Sequence, residues 1–149
     1  MVSASAPREI ALPGKGEEAG ARSLTVWERK AEMAEVNDRK VAIIGCGFVG
    51  SSSAFALMQS GLFSEIVLID ADQDRAEGEA LDISHGLPFA KPMKIYAGSY
   101  NDIVDAAIIV ITAGAGQKPG ETRLDLVKKN VGIFKSIIPE IKKRDCGGI

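Results

Sequence analysis

The ten residues Val41-Ala42-Ile43-Ile44-Gly45-Cys46-Gly47-Phe48-Val49-Gly50 constrain this chain more than any other stretch. The run opens on apolar residues, the composition of a strand buried on both faces, as in a parallel sheet. It then breaks into G-x-G-x-x-G with glycines at 45, 47 and 50, followed by a helix-like run to Ser60. Each glycine has its own reason. Gly45 permits a tight turn out of the strand, Gly47 lets the backbone approach a diphosphate, and Gly50 lets the helix pack close to the strand. The start of that helix offers free N–H groups and a positive dipole end to an anion. A second apolar run, Ile66-Val67-Leu68-Ile69, ends in Asp70, 20 residues past Gly50, where a ribose-binding acid belongs in a dinucleotide fold. The bland alternatives are a glycine-rich turn that binds nothing and an Asp70 that only caps a helix.

The remainder of the chain from Lys40 alternates strand and helix, the pattern of a parallel sheet with crossover helices. Strands are expected at Lys40–Ile44, Glu65–Ile69, Met93–Ala97 and Ala107–Ile111. Helices are expected at Phe48–Ser60 and from Gln73 to about His85, the latter capped by Asp72 or Asp70. Asn101–Asp105 reads as a short helix or turn. A polar loop from Gly114 to Glu121 leads into a long helix opened by Thr122 or Glu121, with Thr122 and Asp125 at capping-box spacing. Along that helix Val127, Val131, Phe134, Ile138 and Ile141 recur at helical steps and read as core packing. Pro139 lies inside it and should kink or weaken it.

The first residues differ in kind. Residues 1–38 carry scattered Ser, Pro and Gly and read as a disordered or partly helical N-terminal extension, with a short helix considered over Leu24–Val36. This segment has no apolar core of a secretory signal, and Glu9, Glu17 and Glu18 argue against a transit peptide. Of the 149 residues, 26% are charged with a net charge of −2 and the signs mixed, so no basic nucleic-acid surface is expected. No apolar run approaches the roughly 20 residues that would span a membrane. Cys46 and Cys146 have no metal-ligand spacing, and a reducing, cytoplasmic setting fits them.

Further motifs join the glycine turn: Asp82-Ile83-Ser84-His85-Gly86, then Thr112-Ala113-Gly114-Ala115-Gly116-Gln117-Lys118-Pro119-Gly120-Glu121-Thr122-Arg123-Leu124-Asp125-Leu126-Val127, then Lys129-Asn130-Val131 and Ile133-Phe134-Lys135. Together they closely resemble the N-terminal half of NAD-dependent L-lactate dehydrogenase, in the lactate/malate dehydrogenase family, over about Arg39 to Arg144. The resemblance implies a Rossmann-type doubly wound parallel sheet, truncated after about four strands. Residues 39–149 then form an incomplete dinucleotide-binding domain without the C-terminal substrate domain.

The resemblance implies NAD as cofactor, contacted at Val49, Asp70, Arg75, Tyr100, Gly114, Ala115 and Ser136 beside the glycines 45, 47 and 50. Gln117 matches the residue that reads the substrate's side group; glutamine there goes with pyruvate and lactate, arginine with malate. Arg123 matches the arginine of a mobile loop that polarises the ketone. A guanidinium aimed at the ketone oxygen would stabilise the charge that develops in the transition state. On their own residues, Gln117 could be a plain loop polar group and Arg123 a solvated side chain in a first helical turn. His85, the only histidine, is read as packed or hydrogen-bonded and not as the catalytic acid.

In the family the proton-donating histidine, its orienting aspartate and the arginine that grips the carboxylate lie beyond this stretch. The chain is therefore expected to be a fragment or partial sequence without turnover alone. The resemblance implies a small 2-oxo or 2-hydroxy acid as partner, and no nucleic acid or membrane is expected. The full-length family forms homo-oligomers; for this chain association or aggregation is expected, with the fourth strand left as an open edge. Malate dehydrogenase, a non-catalytic NAD-binding module and a flavin-type protein are the alternatives.

Overall fold

The computed structural model describes residues 35–149, so the extension before them, including the expected helix over Leu24–Val36, lies almost wholly outside the described residues. Four strands form one parallel sheet: β1 (Asn37–Ile44), β2 (Glu65–Ile69), β3 (Lys94–Ala97) and β4 (Ala106–Ile111), in the order β3-β2-β1-β4. Three α-helices connect or follow them: α1 (Phe48–Ser60), α2 (Gln73–Ser84) and α3 (Arg123–Lys143). Short 3-10 turns stand at Leu87–Phe89 and Tyr100–Ile103.

The strand alternation of two explains how one apolar run serves two faces. Val41, Ile43, Ile66 and Leu68 point to one side and pack with Ala54 and Met58 of α1 and Ala76, Ala80 and Ile83 of α2. Ala42, Ile44, Val67 and Ile69 point to the other side and meet Ile103 and Ile137. The side chains of Ile43, Ile66 and Leu68 are fully buried, each worth about 1.5–3 kcal/mol relative to exposure. β1 pairs β2 through Val41–Ile66 and Ile43–Leu68 and pairs β4 through Val41–Ile108 and Ile43–Val110, so both its edges are satisfied.

The helix limits follow from their caps. Asp72 accepts the Arg75 N–H and starts α2. Thr122 accepts the Asp125 N–H while the Asp125 carboxylate takes the Thr122 N–H, which completes the capping box of α3. Helix α3 runs unbroken through Pro139. Of the expected capping choices, Asp72 and Thr122 are the ones the structure uses.

Several expectations are corrected. β1 begins at Asn37 and not at Lys40, because backbone pairing carries it back: the Asn37 N–H donates to the Asp105 carbonyl at 2.8 Å, with an irregularity before Val41. Polar Asn37, Asp38 and Arg39 hide this in the sequence, since only their backbone takes part. The apolar stripe assigned to the core of α3 is largely outward: Val127, Val131, Phe134 and Ile138 are 40% to 56% exposed. The face that packs is Ile133, Ile137 and Ile141. Helix α3 is apolar on two sides, and periodicity alone does not say which one meets the sheet. His85 ends α2 as an exposed residue, not a packed one. The β4 edge is met by the last residue: Ile109 N–H donates to the Ile149 carbonyl at 2.7 Å and Ile149 N–H to the Ala107 carbonyl at 2.9 Å, a parallel bridge.

Candidate functional site

The chain connects β1 to β2 on one side of the sheet and continues to β4 on the other side of β1. That reversal opens a crevice at the carboxyl ends of β1 and β4, where ligands of open α/β sheets bind. A cleft of about 510 Å³ lies there. The glycine turn forms one wall and the end of β2 another, and the base of the Gly114 loop and helix α3 complete it.

The turn is built for close approach. Gly45 has φ +105°, a backbone that only glycine adopts without strain, and a Cβ there would overlap the backbone of Ala113. A Cβ on Gly50 would run into the Gly45 carbonyl and lie 2.8 Å from Thr112 Oγ1. Gly47 is different: it caps α1 in an extended conformation and a Cβ there would meet nothing within 4 Å. Gly45 and Gly50 are therefore required by packing, whereas Gly47 leaves open space on the cleft side. That open space in front of the unpaired N–H groups of the first turn of α1 suits a diphosphate.

Asp70 stands opposite. Its Oδ2 accepts the Cys46 N–H at 2.6 Å and its Oδ1 accepts the Asp72 N–H at 3.0 Å. A carboxylate has about four lone-pair positions, so two remain for a ligand's hydroxyl groups. The donor set fits a dinucleotide: amides and a helix N-terminus for the phosphates, an ionisable acid for a ribose.

The other expected cofactor positions divide. Arg75, Tyr100, Gly114 and Ser136 line the same cleft. Arg75 is half-exposed with its guanidinium 3.9 Å from Asp72. Tyr100 is raised from its ordinary pKa by burial and by the charge of Glu140, so it stays a neutral hydroxyl, and the Arg144 guanidinium stacks 5.4 Å from its ring centre. Ser136 Oγ donates to the Ile133 carbonyl. Val49, Gly50 and Ala115 do not line the cleft; Val49 is 66% exposed on the first turn of α1. Ala115 N–H is taken by Asn130 Oδ1 at 2.8 Å, which ties the base of the loop to α3.

Gln117 and Arg123 both lie outside the cleft. Gln117 is exposed, and its Nε2 donates to the Glu121 carbonyl at 2.8 Å. The Glu121 carboxylate accepts the Lys118 N–H at 2.9 Å and pairs with Lys129. The Lys129 contact and the Lys118 N–H hold the Glu121 carboxyl below its ordinary pKa. Arg123 is exposed at the first position of α3. The loop is thus braced against α3, with Arg123 just past its glycines.

Thr112 and Asn130 stand in the quoted motifs without an expected role of their own, yet both hold the site. Thr112 is a hydroxyl at the carboxyl end of an otherwise apolar strand, the one signal that could have marked it. Ile133 and Ile137 also line the cleft, on the side of α3 that the expected core stripe left out.

Comparison with known proteins agrees with this geometry. A family model described as lactate/malate dehydrogenase, NAD binding domain, matches residues 39–146. The L-lactate dehydrogenase of Thermoanaerobacterium saccharolyticum is 64% identical over 104 residues, covering 70% of this chain and 33% of that protein. That of Priestia megaterium is 60% identical over 111 residues, covering 74% and 35%. Among solved structures, the minor L-lactate dehydrogenase of Enterococcus mundtii in a ligand-bound form superposes with a TM-score of 0.72 at 45% identity, over 75% of this chain and 36% of that one. The malate dehydrogenase of Archaeoglobus fulgidus in complex with NADH gives 0.67 at 41% identity, over 72% and 38%. The chain spans about a third of the length of the curated relatives it matches. With its glycine turn, its acid at the end of β2 and its sheet order, this chain belongs to the lactate/malate dehydrogenase family, of which it carries the NAD-binding domain.

Proposed function

We propose that this chain is the cofactor-binding part of an NAD-dependent L-lactate dehydrogenase, which moves a hydride between lactate and pyruvate. The observation that carries the reading is the convergence of the glycine turn and Asp70 on one cleft at the sheet's switch point. The roles follow from chemistry. The amides of the turn and of the first turn of α1 take the phosphates. Asp70 accepts from ribose hydroxyls and repels a 2′-phosphate, which favours NAD over NADP. NAD, when bound, supplies the hydride exchange.

Arg123 opens α3 just past the loop that contains Gly116 and Gly120, and closure of that loop with the start of α3 would bring its guanidinium to the substrate's ketone oxygen and exclude water. Gln117 is a neutral hydrogen-bonding group, suited to the small methyl end of pyruvate and lacking the charge that a second carboxylate needs. This favours lactate over malate, and the substrate class is a small 2-oxo or 2-hydroxy acid. No helix among the described residues is long and apolar enough to cross a membrane. A cytoplasmic location fits the free Cys46 and Cys146. Self-association fits the outward apolar stripe of α3.

Among the described residues that line the cleft there is no histidine. His85 is not among its residues, and the Tyr100 hydroxyl titrates above its usual range. The 149 residues by themselves are therefore expected to bind without turning over. The test is a fluorescence titration with NADH, then with NADPH, and then pyruvate added to the NADH-loaded protein. NADH binding, NADPH weaker by about tenfold or more (1.4 kcal/mol), and no NADH oxidation are expected. A folded chain that ignores NADH, or prefers NADPH, would overturn the cofactor reading. Oxidation on adding pyruvate would overturn the assignment of the acid to residues outside this chain.

A further inference from the structure

The two ends of one peptide group in the glycine turn are held by two different strands. The Gly45 carbonyl accepts a hydrogen bond from Thr112 Oγ1 at 2.7 Å. The Cys46 N–H, which belongs to the same peptide group, donates to Asp70 Oδ2 at 2.6 Å. In a trans peptide these two bonds point in opposite directions. Thr112 follows β4 and Asp70 follows β2, so the group is gripped from both flanks of β1.

Both grips are themselves oriented. Asp70 Oδ1 is held by the Asp72 N–H at 3.0 Å. The Thr112 and Ala113 N–H groups both donate to the Ile44 carbonyl, at 2.9 and 3.0 Å. Rotation of this peptide plane is the soft motion of such a turn, because Gly45 tolerates backbone angles that other residues do not. A flipped plane would point the Gly45 carbonyl at the Asp70 carboxylate and turn the Cys46 N–H toward the α1 side. The N–H groups that follow would then lose their common aim.

We propose that Asp70 and Thr112 together lock the Gly45–Cys46 peptide, so that the turn is preset to receive a diphosphate before any ligand arrives. Thr112 is thereby a positioning residue of the site, and Asp70 carries this duty in addition to ribose recognition. The consequence for cofactor affinity rests on the proposed NAD reading; the lock itself does not.

The test uses the whole 149-residue chain labelled with ¹⁵N. Thr112→Val removes the hydroxyl and leaves the Cys46–Asp70 bond untouched. Amide exchange of Cys46 is followed by NMR, with the Val41–Ile44 amides as the fold control, and NADH affinity is measured on the same samples. Loss of one hydrogen bond should speed Cys46 exchange and weaken NADH by about 2- to 12-fold, the equivalent of 0.5–1.5 kcal/mol. Thr112→Ser keeps the hydroxyl and should restore both.

Unchanged Cys46 exchange in Thr112→Val would show two independent contacts and overturn the lock. Should the strand amides of Thr112→Val also loosen, Thr112→Ser decides: wild-type Cys46 exchange supports the lock, and faster exchange overturns it. Cys46 exchange that responds as expected in a chain that binds no NADH would support the lock and overturn the cofactor reading, so the two fail separately.

Discussion

The carbonyl of Gly45 occupies the place where residue 50 would carry a Cβ, so the backbone of the turn and that of α1 touch with no side chain between them. Gly50→Ala must push backbone against backbone, which no rotamer change relieves. A loss of about 1–3 kcal/mol or more is expected, read from urea unfolding as a lower midpoint at unchanged slope.

Gly47→Ala separates fold from binding. Its Cβ meets nothing within 4 Å and its φ of −74° suits alanine. Stability should stay within about 0.5 kcal/mol. NADH affinity should fall by roughly tenfold or more, about 1.4 kcal/mol, because the methyl group fills the approach to the phosphates. Calorimetric binding beside a thermal melt checks both halves. Normal NADH affinity would remove Gly47 from the cradle.

At the opposite end of the sheet, Lys40 is buried with its ammonium 2.7 Å from Asp105 and 3.2 Å from Glu65, and Tyr96 OH donates to Glu65 at 2.8 Å. Burial pushes the Lys40 pKa down, but the hydrogen bonds to Asp105 and Glu65 outweigh it and raise it above the ordinary 10.5. A raised pKa means that the ammonium's contribution is complete below pH 10.5 and is lost as pH rises through the folded value. Lys40→Met should cost about 1–3 kcal/mol, less than a fully buried pair because Asp105 is partly exposed. The difference between wild type and Lys40→Met in thermal melts should hold steady from pH 7 to 10 and shrink above 10.5. Tyr96, pushed up to about 12 by burial and its bond to Glu65, titrates on the same limb with the same sign. A difference that grows with pH would contradict the pairing.

Cys46 sits inside the turn, yet the residue is 1% exposed and its thiol is pushed up to about 11, first by burial and then by the charge of Asp70. It is therefore a neutral thiol at physiological pH, and the thiolate is the reactive form. Iodoacetamide at pH 7.5 should modify Cys46 roughly tenfold or more slowly than the less buried Cys146, as followed by peptide mass spectrometry. The sign agrees with stability: the folded value lies above the ordinary 9.0, so the neutral thiol's contribution is full below pH 9.0 and fades as pH rises through about 11. Rapid labelling of Cys46 would show that the turn opens far more than its hydrogen bonds imply.

Much of this architecture was readable from local pattern. Apolar runs broken by glycine or polar residues located all four strands to within three residues, and Asp72 and Thr122 marked two helix starts. These features depend on neighbours along the chain: a side chain that caps a helix reaches only a few residues, and strand burial shows in consecutive residues. The glycine turn and Asp70 were legible for the same reason, since a strand, a helix and a second strand fix the distance between them.

Other features needed the folded chain. The two apolar sides of α3 look alike in sequence, and only docking on the sheet set Ile133 and Ile137 beside the expected Ile141 against it. Lys40 opens the expected first strand, and nothing along the chain marks Glu65 and Asp105 as the carboxylates that close around it. The peptide grip joins Cys46 to a residue 24 positions away and Gly45 to one 67 positions away. Such contacts arise because the order β3-β2-β1-β4 sets the ends of β2 and β4 on either side of β1. Hydrogen bonds act over about 3 Å, so their partners are chosen by strand order and register, quantities that no local stretch of residues contains.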